Sequence, residues 1–208
     1  MEEAGYKHSH IDFQGLTVEN HYCFDNHNKT LRGQRTEEIL LNFMSECEPT
    51  PIANTRLLSP PPAFTALFML RHALTHFMLE GIRLRHVIDW HLFLQRHGEV
   101  LLRDDVRQAL REMRLEGFAK VLTAFCERHL GLQQTVMDTS VDDTLLADFT
   151  EDLFAGQPPL SNRSTLAVAK RILRRLGRMW RFRMLLDDTY LMRVWATFAW
   201  AHRLKRKG

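Results

Sequence analysis

The chain has 208 residues, 45% of them apolar and 25% charged, a balance that fills one domain or slightly more and excludes an intrinsically disordered polymer. No apolar run reaches the roughly 18–20 residues of a spanning helix, and the polar residues 1–10 lack the apolar heart of a signal peptide, so a soluble cytoplasmic protein is expected. The net charge of +3 is unevenly divided: residues 163–208 hold 13 Lys/Arg against 2 Asp/Glu (+11), and the remainder holds 15 against 23 (−8).

Residues 8–25 read as β structure. Ile11, Phe13, Leu16, Val18, Tyr22 and Phe24 are strand formers, and Gln14-Gly15 suits a hairpin turn. From Leu16 onward the alternation is regular. Glu19 and His21, two apart, fall on one face of the strand, and Val18 is expected to point the other way, toward a core. Two strands alone are marginal in water, and no later segment offers another of comparable quality. A polar loop over 26–34 follows.

The rest of the chain reads as helix. Apolar spacing of three and four predicts helices over 36–47, 63–79, 82–97, 103–113, 117–130 and 142–154. Pro60-Pro61-Pro62 opens the second of these, as proline suits a first turn. Gly81, Gly98 and Gly131 stand where helices should stop. After a linker at 157–162, two basic amphipathic helices are predicted over 164–186 and 189–203. The expected fold class is mainly α: an N-terminal β-hairpin segment (1–34), a helical domain (35–156) and a basic helical tail (163–208). Cys23, Cys47 and Cys126 are far apart, odd in number and free of CxxC spacing, which fits reduced thiols.

Three groups of residues could carry chemistry. On the 63–79 helix, Thr65, Arg71, His72, Thr75 and His76 recur at spacings that form one stripe. His72 and His76 are spaced as a metal-binding HxxxH pair, without the adjacent glutamate of a zinc protease. On the next helix Arg85, His86 and Asp89 form a second stripe. These side chains either hydrogen-bond within the bundle, with Arg85 and Asp89 paired at i, i+4, or contact a ligand such as a phosphate, or hold a metal. The third group is Glu19 with His21, a carboxylate and an imidazole placed to bind a cation or poise a base; the alternative is a solvated strand face.

Several runs in order resemble a bacterial family of uncharacterised nucleotidyltransferases: His8-Ser9-His10-Ile11-Asp12-Phe13, Gly15-Leu16-Thr17-Val18-Glu19-Asn20-His21, Pro60 to Phe64, Leu70-Arg71-His72 with His76-Phe77, and Gly81-Ile82 with Leu84-Arg85-His86-Val87-Ile88-Asp89-Trp90. The resemblance covers roughly residues 5–130. It implies a DNA polymerase beta-like nucleotidyltransferase sheet, of which the hairpin would be a remnant, followed by a helical domain. It implies transfer of a nucleoside monophosphate from a nucleotide triphosphate to an unknown acceptor hydroxyl, assisted by Mg²⁺. Glu19 matches the family's third metal-binding carboxylate and His21 the adjoining motif position, as catalytic residues. Arg71, His72, His76, Arg85 and Asp89 match positions that would frame the substrate.

The sequence departs from that pattern before Glu19. No Gly-Ser turn, helix and Asp-x-Asp strand precede it, so one carboxylate stands where a two-metal site needs several oxygens. The chain is therefore expected to be the carboxy-terminal portion of such an enzyme, lacking an N-terminal half, or a form without catalysis. A non-catalytic binding or scaffold protein is the other reading, its basic tail engaging nucleic acid, an acidic partner or a membrane surface.

Overall fold

The computed structural model describes residues 8–21, 23–24, 31–46, 54–55, 58–79, 81–133 and 136–155, together with residues 177, 181, 182 and 185. The expected tail helices and the 157–162 linker lie outside the described residues, apart from those last four. The chain is mainly α, with one two-stranded antiparallel sheet. It divides into two compact units, Met1–Phe68 and Met69–Gly208.

In the first unit, strands β1 (His8–Phe13) and β2 (Leu16–His21) form a hairpin. Its two turn residues, Gln14 (φ 52°) and Gly15 (φ 78°), both adopt left-handed backbone angles. That is the type I′ geometry whose twist matches the flanking strands. The Asp12 carboxylate fixes the turn by accepting the Gly15 N–H at 3.1 Å. The register pairs Ile11 with Val18, His10 with Glu19 and His8 with His21. Val18, expected to face a core, is instead 47% exposed, and Ile11 and Leu16 are exposed with it.

Helix α1 spans Leu31–Ser45, so it begins five residues before the turn of helix predicted at Thr36. Its early residues read as a polar loop because Arg32, Gly33 and Gln34 carry no apolar stripe. Gly33 and Thr36 are nevertheless buried with Ile39, Leu40 and Phe43. Glu37 receives the Phe24 N–H on both carboxylate oxygens, each at 2.9 Å, which ties the chain beyond the hairpin to this helix. Phe24, expected to continue the strand, lies past its end. Its ring meets Phe64 edge-on at 4.9 Å and Phe68 at 5.9 Å.

Helix α2, Pro62–Leu79, starts at the predicted proline. Thr65 and Thr75 return their hydroxyls to the carbonyls of Pro61 and Arg71, four residues back. Both hydroxyls therefore serve the helix itself.

The second unit is helical in all its described elements. It holds α3 (Leu84–His97), a 3₁₀ turn (Gly98–Leu102), α4 (Asp104–Glu112), α5 (Glu116–Leu130) and α6 (Asp143–Phe154). Helix α3 ends at His97 with Gly98 as its C-cap, as expected, but Gly98 stays right-handed (φ −59°) and the chain tightens into the 3₁₀ turn. Gly131 does terminate α5, at φ 71°. Asp142 caps α6 by accepting the Leu145 N–H at 3.1 Å, an N-cap bond whose loss typically costs about 1 kcal/mol.

The core of this unit is aromatic. Phe77 of α2 meets Phe118 of α5 at 5.5 Å, Phe149 of α6 at 5.6 Å and Phe182 edge-on at 4.9 Å. The closely packed helix pairs are α3 with α5, α5 with α6 and α4 with α5. Between α3 and α5, the Trp90 indole N–H donates to Thr123 Oγ1 at 3.0 Å, and the Cys126 thiol lies 3.8 Å from the Val87 carbonyl.

Burial pushes the Cys126 thiol up to about 12. Only the thiolate reacts. Iodoacetamide at pH 8 should therefore leave Cys126 unmodified in the native protein and label it in denaturant, as peptide mass spectrometry would show. Labelling of the native thiol at the denatured rate would contradict this packing.

Candidate functional site: a histidine cluster between α2 and α3

Helix α2 ends on a backbone turn set by Gly81. With φ 95° this glycine brings its N–H to the His76 carbonyl at 2.8 Å, a left-handed geometry that L side chains strain to adopt. The turn brings the start of α3 back onto the last turns of α2. Arg83 is the N-cap of α3 in extended conformation, and its N–H donates to His86 Nδ1 at 3.2 Å. That bond holds the His86 ring at the helix start, in the place usually taken by glutamate or glutamine.

Three imidazoles converge there. His72 and His76, one turn apart on α2, have ring centroids 4.6 Å apart. His86 lies 5.0 Å from His76, nearly parallel to it, and 5.9 Å from His72. One ligand nitrogen from each ring falls within 4.8 Å of the other two. His72 and His76 are half-buried, whereas His86 is 8% exposed. Burial, then the positive charge of His76, Arg85 and Arg83, lowers the His86 pKa, with Asp89 opposing. His86 is thus a neutral imidazole around pH 7. Because Nδ1 accepts a hydrogen bond, the ring proton sits on Nε2, which is buried and has no hydrogen-bond partner.

The remaining predicted residues are distributed as follows. Arg71 is 3% exposed and belongs to the interior. Arg85 and Asp89, which flank His86 in sequence, are exposed on α3. The two stripes read from the sequence are therefore mixed: each carries one buried member, Arg71 and His86, beside more accessible ones. His86 was grouped with Arg85 and Asp89 by spacing. Its partnership with His72 and His76 depends on the Gly81 turn, which helical spacing does not reveal. Glu19 and His21 lie on β2 of the first unit, opposite His10 and His8 in the register.

The acids of β1 and β2 are Asp12 and Glu19, and the Asp12 Oδ1 accepts the Gly15 N–H within the turn.

One further cleft, lined in part by Arg107, Arg111, Glu116, Lys120 and Asp138, has the charge to attract an anion. Its lysine already pairs with Asp138 at 3.3 Å and Glu116 at 4.0 Å, and Arg107 lies 3.9 Å from Asp104. These contacts neutralise the cleft locally, so the histidine cluster remains the stronger candidate.

No helix among the described residues is long and apolar enough to cross a membrane. Comparison with curated proteins and with solved structures gives no match. A family description does match, over residues 1–131, and that span includes the hairpin with Glu19 and both helices of the histidine cluster. Through this match the chain belongs to a family of uncharacterised nucleotidyltransferases.

Proposed function

We propose that the chain serves nucleotidyl transfer, the attack of an acceptor hydroxyl on the α-phosphate of a nucleotide triphosphate with release of pyrophosphate. The family match over residues 1–131 carries this reading. Glu19 on β2 would supply one metal-binding carboxylate for Mg²⁺, with His21 beside it in the strand. The helical domain, 35–156, would frame the substrate through His72, His76, Arg85 and Asp89. Arg71, being buried, would support that surface from within.

One carboxylate on β2 does not make a two-metal centre. The chain by itself should therefore bind a nucleotide triphosphate without turning it over. The test incubates the purified chain with labelled nucleotide triphosphates, Mg²⁺ or Mn²⁺ and candidate hydroxyl acceptors, and measures nucleotide binding in parallel. Saturable binding without transfer is expected. Turnover that disappears in Glu19→Gln would show that the chain completes the catalytic centre by itself. Absence of nucleotide binding would favour the other reading, a binding or scaffold protein acting through its basic residues 163–208.

A further inference from the structure

We infer that His72, His76 and His86 form a binding site for a borderline transition-metal ion of the Zn²⁺ class, separate from the Mg²⁺ chemistry of the family. The inference deepens the proposed function in one respect: His72 and His76 would reach a substrate oxygen through a metal rather than directly.

The donor set argues for the class of ion. Three imidazole nitrogens suit Zn²⁺, Co²⁺, Ni²⁺ or Cu²⁺ and are poor ligands for Mg²⁺, which takes oxygen. Three protein ligands with a fourth position open is the arrangement of zinc sites that act on substrates. Here His72 and His76 are half-buried and His86 is buried.

The spacing argues for a site that is nearly assembled. Zn–N bonds are about 2.0–2.1 Å, so the nitrogens of a tetrahedral site lie about 3.4 Å apart. The three nitrogens already fall within 4.8 Å of one another, and small side-chain rotations close the difference. The i, i+4 pair is fixed by one turn of α2. The third ligand is fixed by the Gly81 turn and the Arg83 cap bond.

An orphaned atom points to a ligand. His86 Nε2 is buried without a hydrogen-bond partner, which is uncommon in a settled interior. Its ring faces those of His72 and His76.

Coordination at Nε2 moves the ring proton to Nδ1 and gives up the hydrogen bond from Arg83. A single neutral hydrogen bond is weaker than a metal–imidazole bond, so the exchange favours the metal. It also leaves a signature, because the first turn of α3 should loosen at its cap when metal binds. Arg83 and Arg85 beside the cluster, set against the single carboxylate of Asp89, would draw an anionic oxygen to the fourth position.

The test titrates the full chain, stripped with a chelator and without nucleotide, with Co²⁺ and then Zn²⁺. The expected result is one ion per chain, intense visible cobalt bands typical of tetrahedral nitrogen ligation, displacement by Zn²⁺, and no competition from excess Mg²⁺. His72→Ala and His76→Ala should each weaken Zn²⁺ binding by about 100-fold or more. His86→Asn keeps an acceptor for the Arg83 N–H and removes Nε2, so it should fold as the parent by circular dichroism and still lose the site. Zn²⁺ binding unchanged in these variants would overturn the proposal, as would failure of the parent to bind one Zn²⁺ tightly. Inorganic phosphate that shifts the imidazole NMR signals of the metal-free chain, where Zn²⁺ does not bind, would replace the metal with an anion. Nucleotide binding is measured separately, so a failed metal site and a failed nucleotidyltransferase reading give different results.

Discussion

Replacing Phe77 with alanine should destabilise the helical unit by about 3–5 kcal/mol, the usual cost of truncating a buried Phe. Its side chain is 1% exposed and contacts rings from three other parts of the chain: Phe118, Phe149 and Phe182. Removing it deletes the transfer free energy of the ring and leaves a cavity that three aromatic neighbours cannot easily collapse. Phe77→Leu should cost much less, since most of the volume is kept. Phe154→Ala is the control. That residue ends α6 at 64% exposure, and its loss should change stability by no more than about 0.5 kcal/mol. Urea denaturation followed by circular dichroism measures all three. A Phe77→Ala cost equal to that of Phe154→Ala would mean that the ring cluster does not hold the unit together.

The sequence revealed Phe77 only as one member of an apolar helix. Helix α2 is apolar on most of its surface, so periodicity alone does not single out the face that meets α5 and α6. Helices with a clear stop were read to within a residue or two. Asp142 caps α6 and Gly131 ends α5 by the chemistry their residue types favour. Gly98 ends α3 where its residue type suggests, but glycine permits a left-handed stop without requiring one, and here it remains right-handed at the start of the 3₁₀ turn. The start of α1 was hidden because its tie is non-local: Glu37 holds the backbone of Phe24, thirteen residues earlier.

The candidate site was half legible for a similar reason. HxxxH spacing on α2 announces two histidines that share a face, because one helix defines their geometry. The third histidine comes from another element, and only the Gly81 turn decides which residue of α3 arrives there. Spacing also fails to distinguish Arg85 from His86. They are adjacent in sequence and about 100° apart around the helix, so one is exposed and the other is buried. The hairpin turn, in contrast, is local, and Gln14-Gly15 forms it as the residues suggest.

Deleting residues 163–208 should lower the stability of the remaining chain by several kcal/mol. Of the four described residues in that segment, two contact helices α2 and α6, and a third is buried. Phe182 is 1% exposed against Phe77, and Leu185 is 3% exposed. Arg181 contacts two acids of α6, Asp148 at 2.5 Å and Glu151 at 2.6 Å. The hydrogen bonds that Arg181 donates to these carboxylates raise its pKa further, so its charge is permanent. Burying a Phe and a Leu is worth about 1.5–3 kcal/mol each, whereas exposed ion pairs contribute about 0–1 kcal/mol. The apolar contacts should therefore dominate, and salt should weaken the attachment only slightly. The charges of the two parts are opposite in sign, +11 over residues 163–208 and −8 over the remainder. The truncated chain should melt earlier and bind a hydrophobic dye at the uncovered face of Phe77. Phe182→Ala with Leu185→Ala in the full chain should reproduce most of the loss, and Arg181→Ala only a small part. If the truncated chain melts unchanged while binding to anionic vesicles or nucleic acid disappears, residues 163–208 act as a binding device and the packing around Phe182 contributes little to the fold.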